Sequence, residues 1–413
     1  MPMFISAFRF AFRSIASLAT MSCRLLLMLG ACVALTGASA ADASGSSGGA
    51  VVFAEQPTGL AACDGVSSLA VGGVDAKLAR GFNLPNWDPD YSGYKPDDSL
   101  LKQLNMLGFT HIRLPVNGER FMARFASRDQ TATYMSALDA EVSRLSNMGY
   151  AVSVDMHPSG RFQHIHAAAP KEALSLLMEA WDLIAEVGEK WPKSEVYFEL
   201  LNEPAADASI WWQQAQTLVT HLNDIAPGRR LIVGPAIFQR VEVLAGSEPL
   251  KGEGLVYAVH YYDPMAFTHQ AMTWMPGSSL AIISQMPFPG DSSSPAVLKQ
   301  AEKLKAAGMD DAAERIIASY KDEWNADRIA TALAMVGDWS RRHQKPVIVN
   351  EFGTLTFDVD PHDRVNWLRA VRAGAEESCL GWTHWDFSDG FQMVNPETTL
   401  PDPLVLDALL PDL

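Results

Sequence analysis

Eight short apolar runs recur along the chain, each bounded by Gly, Pro or polar residues and each separated from the next by a longer stretch. They cover residues 78–84, 110–116, 150–156, 195–201, 230–234, 255–261, 346–350 and 380–385. Their β-branched and aromatic content is that of buried strands. Between them, residues 98–107, 131–147, 171–190, 210–225, 327–343 and 361–376 place apolar side chains near a 3.6-residue period. Gly108, Gly149 and Gly228 follow three of these helices as C-terminal stops. Strand–helix alternation implies right-handed crossovers and a parallel sheet. The expected fold is α/β, a (β/α)8 TIM barrel with a long insertion after strand 6. A doubly wound sheet is the alternative, but no G-x-G-x-x-G follows the first run.

The insertion, residues 263–325, separates the sixth strand from its helix. It holds Phe267-Thr268-His269-Gln270, then Trp274, a Pro/Ser-rich piece and a helix-like stretch over 299–320. Long insertions on the active-site side of a barrel are more often functional than not. No internal repeat and no second domain of convincing size stand out.

The N-terminus reads as a targeting segment. Arg9, Arg13 and Arg24 precede Leu25-Leu26-Leu27-Met28-Leu29, and small residues follow to Ala38-Ser39-Ala40. This is the order of a secretory signal peptide, 1–40, with cleavage after Ala40 and a secreted or periplasmic destination. The apolar run is too short for a stable membrane anchor. Met21 is an alternative start, and Leu29-Gly30-Ala31-Cys32 is a weaker match to a lipoprotein box. Residues 41–58, with Ser44-Gly45-Ser46-Ser47-Gly48-Gly49, form a flexible linker, and 59–413 a single catalytic domain. Loss of the signal removes three arginines and no acids, taking the net charge from −16 to −19. A chain this acidic is a poor partner for nucleic acid. Cys63 and Cys379 are the cysteines left in the mature chain. In an oxidising compartment they are candidates for a disulfide, the alternative being two separate buried thiols.

Chemistry gathers at the strand ends. The first run gives Asn83, with Trp87 just after it, the second Arg113, and the third Asp155-Met156-His157. The fourth gives Asn202-Glu203, the sixth His260-Tyr261-Tyr262, the seventh Glu351 and the eighth Trp385. In a parallel barrel that end carries the catalytic residues. A buried carboxylate is costly unless paired, so two of them point to acid/base and nucleophile chemistry on one bond. Two structural ion pairs are the bland alternative. Trp87 and Trp274 are candidate aromatic platforms for a ligand, as is one of Trp211 and Trp212, the other packing inward. His269 and Gln270 are candidate hydrogen-bond partners for its hydroxyls.

Gly81-Phe82-Asn83, Arg113, Asn202-Glu203-Pro204, His260-x-Tyr262, Glu351-Phe352-Gly353 and Trp385 together resemble glycoside hydrolase family 5, in that family's order and at its strand positions. The resemblance covers roughly residues 78–390. It implies Glu203 as general acid/base and Glu351 as nucleophile of a retaining β-glycanase. Arg113, His157, Asn202, His260, Tyr262 and Trp385 would be the supporting shell. The implied partner is a β-linked polysaccharide or oligosaccharide, with no cofactor or metal and a monomeric enzyme. β-1,4-Glucan is the first expectation, ahead of β-mannan, mixed-linkage or β-1,3-glucan and an exopolysaccharide. Physically, Arg113 and the Tyr262 phenol would keep Glu351 ionised, while a neighbouring carboxylate and partial burial would keep Glu203 protonated. Such chemistry calls for carboxyl groups about 5–5.5 Å apart.

Two rival classes remain. His164-x-His166 with His157 has a metal-like spacing, expected in a loop after the third strand, but no matching set appears on other strands. A non-catalytic carbohydrate-binding protein needs aromatic platforms but not two converging carboxylates. No G-x-S-x-G follows a strand, as a serine hydrolase would require.

Overall fold

In the computed structural model, which describes residue 63 and residues 76–411, eight parallel strands close into one barrel in chain order. They are β1 Arg80–Asn83, β2 His111–Val116, β3 Ala151–Met156, β4 Val196–Glu199, β5 Arg230–Val233, β6 Leu255–Tyr261, β7 Val347–Phe352 and β8 Gly381–His384. Arg80 pairs with Trp382 to join the first strand to the last. Helices wall off the outer face, so the strands are buried on both sides and read as nearly continuous apolar runs. Residues 1–40 and 41–58, read as signal and linker, lie outside the described residues.

Two strand boundaries differ from expectation in ways that matter. The fourth strand ends at Glu199 rather than at 201, and the chain bends at Asn202 and Glu203. The seventh runs on to Phe352, so Glu351 lies within the strand. There the β6–β7 register shifts between Val259 and His260, which sets His260 opposite Glu351. Bulges of this kind re-aim side chains next to active sites.

The barrel interior is layered. At its base Leu78, Ala151, Tyr197, Ile232, Val256, Ala258 and Ile348 form an apolar plug. Above it the ring of His111 bridges the Ser153 and Thr383 hydroxyls at 2.9 and 3.2 Å. Burial, aided by nearby Arg113, pushes His111 down to about 3, so the bridge is a neutral imidazole. A Cβ on Gly81 would meet His111 at 2.8–3.0 Å, which is why glycine begins the Gly-Phe-Asn segment. Eight of the eleven tryptophans are buried, so core packing rather than sugar binding explains most of the tryptophan content.

The insertion is fastened to the mouth of the barrel. Leu355 donates to the Thr268 carbonyl at 2.9 Å, and Trp367 Nε1 to that of Asp263 at 3.1 Å. The single helix expected over 299–320 is two, Pro295–Ala306 and Asp310–Ser319. Gly308 breaks it, taking a left-handed φ of +74° that other residues adopt at a cost. His164 and His166 lie on a helix, Gly160–Ala168, not in a loop. Among the described residues no helix is long and apolar enough to cross a membrane.

Cys379 precedes β8 at the end of the barrel away from the strand C-termini, and its sulfur is joined to that of Cys63, with Cα atoms 5.7 Å apart. The bond closes a loop spanning 316 positions. Cross-links of long loops typically stabilise by about 2–4 kcal/mol. The Cys63→Ser, Cys379→Ser double variant is therefore expected to lose about that much in urea unfolding, with native secondary structure retained. Identical midpoints for both proteins under non-reducing conditions would contradict the cross-link.

Candidate active site

Arg113, at the centre of β2, is fully buried, and all five of its N–H groups are engaged. Nε and Nη2 grip both oxygens of Glu199 at 2.8 Å each. Nη2 also donates to Asn202 Oδ1 at 3.0 Å and lies 3.0 Å from Asp155. Nη1 donates to Asn83 Oδ1 at 2.9 Å and to Glu351 Oε1 at 2.5 Å. The other oxygen of Glu351 accepts the Tyr262 hydroxyl at 3.0 Å. Both Glu351 oxygens are thus held from different strands, which fixes the plane of the carboxylate.

Glu203 stands four residues past β4 with a left-handed φ of 44°. Strain of this kind, of order 1–3 kcal/mol, persists where the surroundings over-determine the backbone. Here they do. Trp181 Nε1 donates to the Leu200 carbonyl at 3.1 Å and Gln163 Nε2 to that of Asn202 at 2.9 Å. The Asn202 amide donates to the Met156 carbonyl at 2.8 Å, the Glu203 amide to Gln239 Oε1 at 2.9 Å, and the Ala205 amide to His166 Nδ1 at 3.2 Å. The Glu203 carboxyl projects towards Glu351. His260 Nδ1 lies 3.1 Å from Glu203 Oε1 and 3.5 Å from Glu351 Oε2. One oxygen of each carboxyl and a nitrogen of His260 all lie within 4.8 Å of one another. That spacing resembles a metal site, but a guanidinium 2.5 Å from the other side of the Glu351 carboxylate, at Oε1, opposes a divalent cation there.

Asn202 and His157 lock each other. With Asn202 Oδ1 on Arg113, its Nδ2 faces His157 Nε2 at 3.2 Å, so His157 carries its proton on Nδ1 and donates it to Asp155 at 2.7 Å. The His157 ring lies nearly parallel to that of Trp385, with centroids 5.7 Å apart. Trp385 is half-buried, its amide bonded to the Phe352 carbonyl at 2.8 Å. A Cβ on Gly353 would lie 2.0 Å from the Trp385 carbonyl oxygen, so the glycine of Glu-Phe-Gly lets the last two strand ends approach.

A sequence model of Cellulase (glycosyl hydrolase family 5) matches residues 72–389. The chain belongs to glycosyl hydrolase family 5. Among its relatives, Endoglucanase 3 of Fibrobacter succinogenes is 25% identical over 339 residues, covering 77% of this chain and half of that protein's length. Endoglucanase C of Acetivibrio thermocellus is 21% identical over 338 residues, 77% of this chain and 93% of the relative. The crystal structure of endoglucanase Cel5A from Thermotoga maritima shares the fold, with a TM-score of 0.63, 20% identity and coverage of 81% of this chain and 98% of that one.

The electrostatics of the family 5 site follow from its imbalance, one guanidinium facing Asp155, Glu199 and Glu351. Burial works against the Arg113 charge, but the three carboxylates outweigh it and keep the group charged. Burial raises Asp155 to about 7 against the pull of Arg113, and it raises Glu199 too. Burial also raises Glu203 from 4.5 to about 6, with His157 and Arg113 opposing. Its side chain is 19% exposed, yet barrel side chains surround it closely enough for desolvation to dominate. Of the two expected causes, a neighbouring carboxylate and partial burial, burial is the one that acts. Burial lowers His157 and His260 to about 4, so both are neutral near pH 7.

Several expected contributors stand elsewhere. Trp87 is 7% exposed, donates to the Pro115 carbonyl at 2.9 Å and packs on Tyr134, so it belongs to the wall rather than to an open platform. His269 is buried behind Tyr262, with ring centroids 5.0 Å apart and Phe391 and Trp274 beyond. Gln270 is also buried, bonding the Phe267 carbonyl and the Met286 amide. Trp274 is half-buried at the edge of this aromatic group. Trp211 packs inward onto the Gly234 carbonyl, and Trp212 bonds that of Glu248. His166 is buried against Gln214 and serves the Glu203 turn. Sequence reasoning missed Glu199, whose only signal was its place four residues before Glu203, along with Asn350, which donates to it at 2.7 Å, and Gln239.

The raised Glu203 carries a stability cost. Its folded value of about 6 exceeds the ordinary 4.5, so the folded state holds its proton more tightly and loses stability as pH rises through that window. Glu203→Gln removes the cost and is expected to stabilise the protein at pH 7 by about 2 kcal/mol, with the gain vanishing below pH 4.5. Urea unfolding at pH 4 and pH 7 checks this, and a variant less stable at pH 7 than the parent would contradict it.

Proposed function

We propose that the chain is a secreted or periplasmic retaining glycoside hydrolase that cleaves β-1,4-glucan internally, with Glu351 as nucleophile and Glu203 as acid/base. The observation that carries this reading is the approach of the two carboxyl groups, with oxygens within 4.8 Å and unlike surroundings. Inverting enzymes hold the pair about 6.5–9.5 Å apart to admit water, and retaining ones about 5–5.5 Å. The relatives named as endoglucanases support the glucan assignment. The arginine-rich, apolar N-terminus supports export.

The two steps follow from the surroundings of each group. Glu351, oriented by Arg113 and Tyr262, attacks the anomeric carbon as the glycosidic C–O bond breaks. Glu203, protonated below about 6, passes its proton to the departing oxygen. Esterification removes the Glu351 charge and so favours the ionised form of Glu203, which then takes a proton from the water that releases the sugar. Asn202 Nδ2, held by the Arg113 and His157 contacts, presents its second N–H to the sugar 2-hydroxyl. Such a contact strengthens as the ring gains oxocarbenium character. Trp385, backed by His157, offers the apolar face for that ring.

Reducing-sugar release from carboxymethylcellulose, barley glucan, laminarin and mannan tests the proposal. Activity is expected on the β-1,4-linked glucans, with an upper pH limb near 6. Glu203→Gln should lower it by about 10²–10⁴-fold, the span of general acid–base catalysis, and Glu351→Gln at least as much. Turnover on mannan or laminarin alone would move the substrate class. Glutamine variants that turn over like the parent would contradict both assigned roles.

A further inference from the structure

We propose that Gln239 is a positioning residue for the Glu203 acid, carried by a left-handed turn after β5 into a slot that only a glycine at position 234 leaves open. The proposal rests on the glycosidase reading above and deepens it.

Ile237, Phe238 and Gln239 have φ values of 59°, 58° and 52°, three consecutive left-handed residues, none of them glycine. A Cβ makes that conformation unfavourable, and the branched Ile237 suffers most. The run turns Ile237 out to 36% exposure and buries Gln239 completely. The room for it comes from Gly234. A Cβ there would lie 2.1 Å from Gln239 Nε2 and 2.5 Å from its Cδ and Cγ.

What the buried amide reaches is the backbone of Glu203, whose N–H donates to Gln239 Oε1 at 2.9 Å. A donor N–H needs an acceptor, which settles which end of the amide faces it. Gln239 Nε2 is buried with no hydrogen-bond partner among the described residues. An unmet donor in the interior is costly, so packing alone would favour an apolar side chain here. The bond to Glu203 is what an apolar side chain would lack. Glu203 has the left-handed φ of 44° and no strand or helix to take up its amide.

The same turn reaches the far end of the acid. Arg240, next in sequence, forms a parallel bridge with His260, whose Nδ1 is 3.1 Å from Glu203 Oε1. One segment therefore steadies both the backbone of Glu203 and the imidazole against its carboxyl. Gln239 touches no reacting atom, and its effect passes through the aim of the Glu203 proton.

Two variants test this. Gln239→Met keeps the volume and loses the acceptor. Gly234→Ala evicts the amide while Gln239 stays in the sequence. Each is compared with the parent by kcat/KM on phenyl β-cellobioside, whose leaving group needs a proton, and on 2,4-dinitrophenyl β-cellobioside, whose leaving group does not. This parameter reports only the steps through first bond cleavage. Both variants are expected to lose about tenfold or more on the phenyl glycoside and about threefold or less on the dinitrophenyl glycoside, within what a misplaced general acid costs. Equal losses on the two substrates would reveal a general packing defect and overturn the role, as would a ratio unchanged from the parent. Should Gly234→Ala fail to fold, Gln239→Met decides alone. A parent that cleaves neither glycoside would overturn the β-glucanase reading and this proposal with it, whereas a cleaving parent with an unmoved ratio overturns only the positioning role.

Discussion

The buried guanidinium of Arg113 is the constraint on which the site depends. It bonds Glu199, Glu351, Asn83 and Asn202 and pairs with Asp155, joining the mouth of the barrel from β1 to β7 through one side chain. Removing one partner from a buried ion pair costs about 3–5 kcal/mol, and here the loss would strand three carboxylates close together. The barrel has no second cation on that layer to replace it, among the described residues with ion pairs to these groups. Burial raises Asp155 to about 7 and Glu203 to about 6 against the pull of that guanidinium.

Around this cage the backbone does the aiming. Shifts in the β6–β7 register bring His260 level with Glu351. The left-handed Glu203, stitched through Leu200, Asn202 and Ala205 to Trp181, Gln163 and His166, turns its carboxyl back over the barrel. The closeness of Gly353 to the Trp385 carbonyl sets the aromatic face beside the strand that carries Glu351. None of these devices is strong alone. Together they fix the separation of two carboxyl groups, the quantity that separates one hydrolytic stereochemistry from the other.

The strands and most helices were legible because burial on both faces writes an unambiguous apolar run, and helices outside a barrel write a 3.6-residue period. Most of the residues that meet at the cleft were legible because a polar group stands in or just past an otherwise apolar run. What was not legible depended on three-dimensional direction. Glu199 sits inside an apolar run with nothing local to mark its grip on Arg113. Gln239 acts through a turn whose left-handed residues carry no glycine signal. Trp87 and His269 have the chemistry of sugar contacts, but their rings point into the wall, and sequence position alone does not say which way a side chain faces. Gly308 was the visible sign that the insertion helix breaks, obscured by strong helical periodicity on both sides.

Mass spectrometry of the protein treated with a 2-deoxy-2-fluoro-β-cellobiosyl fluoride tests the central claim most directly. The fluorine slows release of the covalent intermediate, so a glycosyl adduct builds up on whichever carboxylate attacks. The Arg113 cage predicts one adduct, on the peptide containing Glu351, retained in full protein and absent from Glu351→Gln. An adduct on Glu203, Glu199 or Asp155, or steady hydrolysis of the reagent with no adduct at all, would contradict the account.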